Sequence, residues 1–599
     1  MVKKQGARQK VRNAERNGTD SGSKSYNTDS CAASACAESY SIDLSAESVG
    51  ADSAAKEYNA NPCAACDGVP AESAENFCPG KIENFAFSGD VPPFSGTKEE
   101  FLADMRALLG EEFPEYLAAL SAPRQKALRV NTLKIPAEEL KTRLSLTRQV
   151  PFCPTGFYLP DERWGNHPYH HAGLYYLQEP SAMLPAAAIA PYLSGEILDL
   201  CAAPGGKSTQ AAATMAPGSF LVCNEAVTAR AKILASNLER LGVTDAVITN
   251  AFPKDLEKPF YERFDAVIVD APCSGEGMFR KEEAALRDWS REAVAACAAR
   301  QAEILDSAAK MLRPGGVMVY STCTLNRTEN EDTVLRFLKR HPDFTTLAPR
   351  PGIRALTRPG FGLPDAMRLF PHTFDGEGHF ACLLQKRTPE PAAEETTFMN
   401  AALPAEETAE AFAKAVGAAG GKTSRLADNL QGDVPVFADR FAKSGTRGKK
   451  SASGFPANFQ PLGQEAGAVR DILAPFGIDV KERRLLRFKD TVYLVPERFS
   501  IPAGVRLFCG GIPVAKIENR RAEPLHGAAL ALKRGQAENE ISFPAQSEEI
   551  TKYLKGEQLS VSAPFTGYGV IAVDGFPLGV VKSAGGVLKN HYPKGLRIL

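Results

Sequence analysis

No stretch of this sequence approaches the run of about twenty apolar residues that a membrane-spanning helix requires. The basic residues near its start, Lys3 to Arg16, have no apolar run behind them. A membrane span and a secretory signal are therefore not expected, and a cytoplasmic protein is. The 13 cysteines are odd in number and scattered over 599 residues, which speaks for reduced thiols and against a disulfide framework. Cys63 and Cys66 form one C-x-x-C, with Cys31, Cys36 and Cys78 nearby. There is no second pair at zinc-finger spacing, so incidental cysteines are expected and no metal is implied.

With 44% hydrophobic and 24% charged residues over this length, several domains are expected rather than one core. A net charge of -1 hides an uneven distribution. The segments around Lys3–Arg16 and Ser444–Gly454 are basic, Pro389–Glu410 is acidic, and the last eighteen residues carry Lys582, Lys589, Lys594 and Arg597 without an acid. Such a chain can bind a polyanion locally while neutral overall. The Ser-, Ala- and Gly-rich residues 1–95 read as a disordered tail, and 389–464 as a flexible linker or insertion with a short helix near Phe412.

From Lys98 a helical period places Phe101, Met105, Leu108 and Leu109 on one face. Arg129 to Lys134, RVNTLK, follows as a short strand with two cations, to be read either as an RNA contact or as a solvated face. The chain is organised around Gly195 to Gln210, GEILDLCAAPGGKSTQ. An apolar strand ends there in a glycine turn that opens a helix, and the dipole end of a helix favours a carboxylate or phosphate. A phosphate loop requires Gly where Cys201 stands, and adjacent Gly205 and Gly206 cannot supply the three separated glycines of a dinucleotide fingerprint. A smaller anion, such as the carboxylate of an amino-acid-like cofactor, remains, as does a merely structural turn.

Residues 196–387 then alternate strand and helix as a doubly wound sheet does. A second strand, Phe220 to Val222, leads to Glu225, about twenty residues past the glycines, where an acid can accept from ribose hydroxyls. A helix from Thr228 to Leu241 turns Leu234, Leu238 and Leu241 inward. Further strands end at Asn250, at Asp270-Ala271-Pro272-Cys273 and at Ser321-Thr322-Cys323. Two cysteines past the carboxyl ends of successive strands face the edge at which open α/β sheets bind ligands. Thr328 and Glu331 read as a capping box for a helix with Val334, Leu335 and Leu338, and 368–385 as a hairpin closing the sheet. Lys489-Asp490 and Asp574-Gly575 mark hairpins in a β-rich C-terminal part.

CAAPGGK, NE, DAPCSGEGMF and STCT, in this order and spacing, resemble the RNA cytosine-5 methyltransferases of the NOL1/NOP2/Sun family, in particular its bacterial RsmF-type 16S rRNA branch. RVNTLK, YYLQEPSAM, RLFPHTFDGEGHF and LKNHYPKGLR are similar to that branch as well. The resemblance implies an α/β fold: a class I (Rossmann-like) methyltransferase domain, an N-terminal α/β extension, and small β-rich C-terminal domains, the last PUA-like. The expected division is tail 1–95, RNA-binding extension 96–180, methyltransferase domain 181–388, linker 389–464, intermediate domain 465–538 and PUA-like domain 539–599.

The implied cofactor is S-adenosylmethionine, held by Cys201, Ala202, Ala203, Pro204, Gly205, Gly206 and Lys207 at its methionine part and by Glu225 at its ribose. Arg230, Asn250 and Asp270 complete the implied pocket, although Asn250 departs from the acid many members carry there. Cys323 matches the family's nucleophile and Cys273 the cysteine that assists release, with Asp270 and Lys207 beside them. A thiol is needed because C5 of cytosine is a poor nucleophile until a thiolate adds at C6. A cysteine of pKa about 8.5 is mostly protonated at neutral pH, so the site must lower that value or supply a base. Lys207 is the expected cation, and Asp270 either holds the exocyclic amine or, protonated, donates to N3.

The expected partner is RNA, ribosomal RNA of the small subunit, with tRNA as alternative. No obligate protein partner is evident and a monomer is expected. A non-catalytic ribosome-assembly factor of the same fold is the competing class. Truncation after about Glu540 is expected to leave the catalytic domain folded.

Overall fold

A central sheet carries the strand ends at which the chemistry-bearing residues collect. The computed structural model describes residues 99–389 and 459–598 apart from short breaks at 161–162, 282, 479–483, 497, 499–500, 503 and 520. The expected tail with its cysteine pair and the helix near Phe412 lie outside the described residues. Among those described, no helix is long and apolar enough to cross a membrane.

Two helices, Glu99–Leu109 and Phe113–Ser121, lead into a three-stranded antiparallel sheet of β1 (Lys126–Val130), β2 (Gly156–Leu159) and β3 (Tyr175–Leu177), in the order β2-β1-β3. The central sheet follows with β4 (Glu196–Asp199), β5 (Phe220–Asn224), β6 (Ala246–Thr249), β7 (Phe264–Asp270) and β8 (Leu312–Thr322). These five are parallel in the order β6-β5-β4-β7-β8. Strand order reverses between β4 and β7, so a crevice opens at their carboxyl ends. Strands β9 (Phe344–Leu347), β10 (Arg358–Gly360), β11 (Leu363–Leu369) and β12 (His379–Lys386) extend the sheet beyond β8, with β12 antiparallel to it. Alternate residues feed two cores: Ile197, Ile268 and Val319 on one face, Leu198, Val267 and Met318 on the other.

The helix Thr228–Arg240 turns Leu234 and Leu238 inward as expected. The helix Glu331–Arg340 corrects the capping-box expectation. Its N-cap is Asn330 with no side-chain cap bond, and Glu331 does not cap but takes both arms of the buried Arg368, at 2.6 Å each. Leu335 is exposed, Leu338 half-buried, and Phe337 and Val334 face the core. A carboxylate that finds a buried guanidinium gains more than one satisfying a terminal amide. The helix before β8 ends at Met311, and the Arg313–Gly316 stretch already belongs to the strand.

In the C-terminal part, β13 (Gln460–Pro461), β14 (Leu485–Phe488), β15 (Thr491–Leu494), β17 (Ile512–Glu518) and β18 (Arg521–Pro524) form one sheet. Strand β16 (Leu507–Cys509) leaves it and pairs antiparallel with β6, so the intermediate segment covers the edge of the central sheet. The last sheet has β19 (Glu540–Phe543), β20 (Gly567–Val573), β21 (Phe576–Ala584) and β22 (Val587–Asn590). Asp574 and Gly575, at φ 50° and 79°, turn β20 into β21 as a two-residue hairpin requires.

That last module does not stand apart. Ile550, Tyr553, Ile571, Phe576 and Leu588 share one core with Leu128, Val130, Phe157 and Tyr175 of the N-terminal sheet. Truncation after Glu540 would open this core, which the end shares with the N-terminal sheet and not with the cores of the central sheet. The cations of RVNTLK are neither solvated nor placed for RNA. Arg129 is 2% exposed, and the Lys134 ammonium donates to the carbonyls of Ala172 (2.8 Å) and Arg240 (3.2 Å). Burial, with Arg240 adding, pushes Lys134 down to about 7.

Candidate active site

Strand β4 ends at Asp199, and the chain turns at Gly205, φ 112°, into the helix Gly206–Thr214. That φ needs glycine. The next glycine is needed for packing, because a Cβ at Gly206 would come within 3.3 Å of the Tyr176 ring. Donors take the turn's carbonyls from behind. Arg230 reaches Ala203 O (2.8 Å), Asn237 reaches Pro204 O (2.9 Å), and Arg129 reaches Gly206 O (3.2 Å) and Thr209 Oγ1 (2.7 Å). Arg129 is held in turn by Gln178 at 2.9 Å. With these carbonyls taken, the first amides of the helix, which have no intrahelical acceptor, remain to be satisfied by a ligand or water. Ala202 and Ala203 are buried. Burial, with Glu225, Asp199 and Asp270 adding, pushes the Cys201 thiol well up and keeps it protonated.

Glu225 follows β5 and is 3% exposed. Its carboxylate accepts from Val227 N at 2.9 Å and pairs with Arg230 at 3.3 Å, which ties it to the glycine turn through the same guanidinium. A carboxylate has about four acceptor directions, so it can still take hydroxyl donors. Asn250 sits at the end of β6, but its amide donates to the carbonyls of Glu225 (2.6 Å) and Ala226 (2.9 Å) and accepts from Thr228. It braces the Glu225 loop.

Asp270, at the end of β7, accepts from Lys207 Nζ and from Ser321 Oγ, each at 2.8 Å. Burial alone would raise its carboxyl, but the Lys207 charge, with His379 adding, holds it well below the usual carboxylate range. An ionised carboxylate of this kind accepts hydrogen bonds, as from an exocyclic amine. Lys207 stays charged although burial works against it, because Asp270, and beyond it Cys323 and Asp199, favour the ammonium.

The two thiols meet. Cys273 Sγ and Cys323 Sγ are 3.3 Å apart, past the ends of β7 and β8. Close approach of the two loops depends on Gly277, whose N–H donates to Cys323 O at 2.9 Å and where a Cβ would lie 2.7 Å from that oxygen. A thiol pair, an ammonium, an ionised carboxylate and a glycine turn therefore converge at the switch point of one sheet.

Three segments of the chain match known families. The family model for 16S rRNA methyltransferase RsmB/F matches residues 186–385, that for the N-terminal domain of 16S rRNA methyltransferase RsmF matches 98–180, and that for the methyltransferase RsmF PUA domain matches 540–598. The ribosomal RNA small subunit methyltransferase F of Enterobacter sp. is 31% identical over 83% of this chain and 95% of its own length. That of Cronobacter sakazakii is 33% identical over 83% and 96%.

The chain belongs to the RsmB/F family of 16S rRNA methyltransferases.

Members of such a family use a methyl donor of the S-adenosylmethionine type. Among solved structures, a methyltransferase homologue from Pyrococcus horikoshii aligns at 28% identity and TM-score 0.44 over 49% of this chain and 96% of that one. Within this RsmB/F member, sequence reasoning passed over two residues at the crevice. Asp199 is fully buried, takes Ser208 Oγ at 2.7 Å on one oxygen, and has its other oxygen without a hydrogen-bond partner. Burial pushes its carboxyl up to about 7. A buried acceptor left open beside a ligand turn is costly unless a ligand satisfies it. The clue was its place in the LDLCAAPGG run, directly before the turn.

His379, the second, is 2% exposed, and its Nε2 lies 3.8 Å from Asp270 Oδ1, beyond hydrogen-bond distance. Neither ring nitrogen has a partner, and burial, with Lys207 adding, lowers its pKa so that it stays neutral. Pairing of Phe380 with Thr322 puts it opposite Cys323 in register. It stood unremarked in the run GEGHF.

Proposed function

We propose that this protein transfers a methyl group from S-adenosylmethionine to C5 of cytosine in 16S rRNA of the small ribosomal subunit, through a covalent bond between Cys323 and C6. The observation that carries this reading is the pair of thiols 3.3 Å apart beside an ionised Asp270 and a charged Lys207. One methyltransferase thiol would suffice as a packing residue, whereas two at the ends of adjacent strands suit attack and release.

The chain's residues fit the cofactor. The open oxygen of Asp199 suits its ammonium, the helix opening at Gly206 its carboxylate, and Glu225 its ribose. When bound, S-adenosylmethionine supplies an electrophilic methyl group. Cys323, as thiolate, forms a bond to C6, which moves electron density to C5 for attack on that methyl. Lys207 stabilises the thiolate, and Asp270 accepts from the cytosine amine and orients the ring. Loss of the C5 proton then restores the C5–C6 double bond as the C6–S bond breaks, and Cys273 assists that release. The target nucleotide must leave its stack to be reached from both faces.

The proposed division of labour keeps the boundaries read from the sequence: methyl transfer in 181–388, RNA binding in 96–180 and 539–599. The protein is taken to act as a monomer without an obligate protein partner, in the cytoplasm. Bisulfite sequencing of RNA from a strain lacking the gene tests the reading, together with methyl transfer to bare 16S rRNA, assembled small subunits and tRNA. Loss of one or more 16S rRNA 5-methylcytosines, restored by the intact gene, is expected. Methylation confined to tRNA would overturn the substrate, and no transfer to any RNA would leave the assembly-factor class standing.

A further inference from the structure

Two buried carboxylates next to the thiols take no part in the steps above. Glu276 lies on the loop that carries Cys273, and Glu329 on the loop that carries Cys323; they are 2% and 0% exposed. Each accepts from the opposite loop. Glu276 takes the backbone amides of Leu325 (2.9 Å) and Asn326 (2.7 Å). Glu329 takes the backbone amide of Ser274 at 3.0 Å and the Ser274 hydroxyl. Trp289 Nε1 and Gln301 Nε2 complete the two carboxylates, at 3.0 and 2.7 Å, and the Asn326 amide bridges both. Ser274 immediately follows Cys273, and Leu325 and Asn326 follow Cys323 by two and three positions.

We infer that Glu329 and Glu276 are positioning residues, a reciprocal latch that fixes the Cys273–Cys323 separation and so couples attack on the base to release of the methylated product. The inference rests on the thiol assignment made above. Every group facing Glu329 is a donor, so the carboxylate cannot be replaced by an amide without setting N–H against N–H. Burial, with the Glu276 charge adding, pushes its carboxyl up to about 7.

The test uses the full-length protein carrying Glu329→Gln. Its kcat should fall about tenfold or more, while KM for RNA and the affinity for S-adenosylmethionine stay as they were, because neither pocket includes the latch. The protein–RNA adduct should also accumulate on denaturing gels, as is expected for Cys273→Ala. Glu276→Gln should give the same split from the other loop, and it serves if Glu329→Gln does not fold. Ser274→Ala, which keeps the backbone amide, should show a smaller loss. A folded Gln variant with unchanged kcat and no adduct overturns the latch, as does a loss of kcat matched by a loss of cofactor affinity. Cys273→Ala is the control: if it traps no adduct the thiol assignment has failed, and if it does while both Gln variants release normally, the latch alone has failed.

Discussion

The two halves of the crevice are braced by opposite chemistry. In the half around Gly205, donors on Arg129, Arg230 and Asn237 occupy the carbonyls of the glycine turn. In the thiol half, Glu276 and Glu329 occupy amides of the loops. The difference follows from what each half must present. A turn whose carbonyls are taken leaves its amides for an anionic ligand, and loops whose amides are taken are pinned one against the other. Binding and chemistry should therefore be separable by substitution.

The largest separation is expected at the thiols. Cys323→Ala should abolish methylation and leave cofactor binding intact, measured by calorimetry, while Cys273→Ala should accumulate a covalent protein–RNA adduct that survives denaturing electrophoresis. Trapping by Cys323→Ala instead would reverse the two roles. From the other half, Arg129→Ala strips three buried polar partners of a charged donor, at roughly 1.5 to 3 kcal/mol per bond. A stability loss of about 3 kcal/mol or more in denaturant unfolding is expected, with weakened S-adenosylmethionine binding. Lysine should not rescue it, since one ammonium cannot reproduce the guanidinium's spread of donors. If cofactor affinity is unchanged in the folded variant, the bracing of the turn is irrelevant to binding.

A smaller effect belongs to Glu225→Ala. Loss of an acceptor for ribose hydroxyls should weaken the cofactor by about tenfold with little change in kcat at saturation. Unchanged affinity would remove Glu225 from the pocket. The smallest effect lies outside both halves. Lys582 and Lys589 face each other across β21 and β22, and the Lys582 ammonium lies 4.5 Å from the centre of the Tyr568 ring. Replacing both with alanine should weaken RNA binding and lower the slope of log K against log salt by about 0.7 to 0.9 per lost phosphate contact. Identical slopes would leave these cations a solvated face of a structural cap.

Legibility in the sequence tracked distance along the chain. The strand, turn and helix at 196–214, the hairpins at Lys489-Asp490 and Asp574-Gly575, and the thiols past two strand ends were readable because each depends on neighbours within a few residues. Apolar periodicity and turn chemistry are local signals. Asn250 could be seen to depart from an acid, but not that its amide would brace the Glu225 loop, for that requires β5 and β6 side by side.

The sequence by itself determined the doubly wound sheet, the order of its strands' contents and the residues that crowd its carboxyl edge. Tertiary structure alone decided what each charge would do. Glu331 looked like a cap and became the partner of Arg368, 37 residues on. Arg129 and Lys134 could be read as an RNA contact or as a solvated face and became struts to neighbouring carbonyls, and the last module closed a shared core with the N-terminal sheet. A local pattern records which backbone a side chain favours, whereas the worth of a charge or an apolar face depends on the dielectric and the partners that folding brings to it.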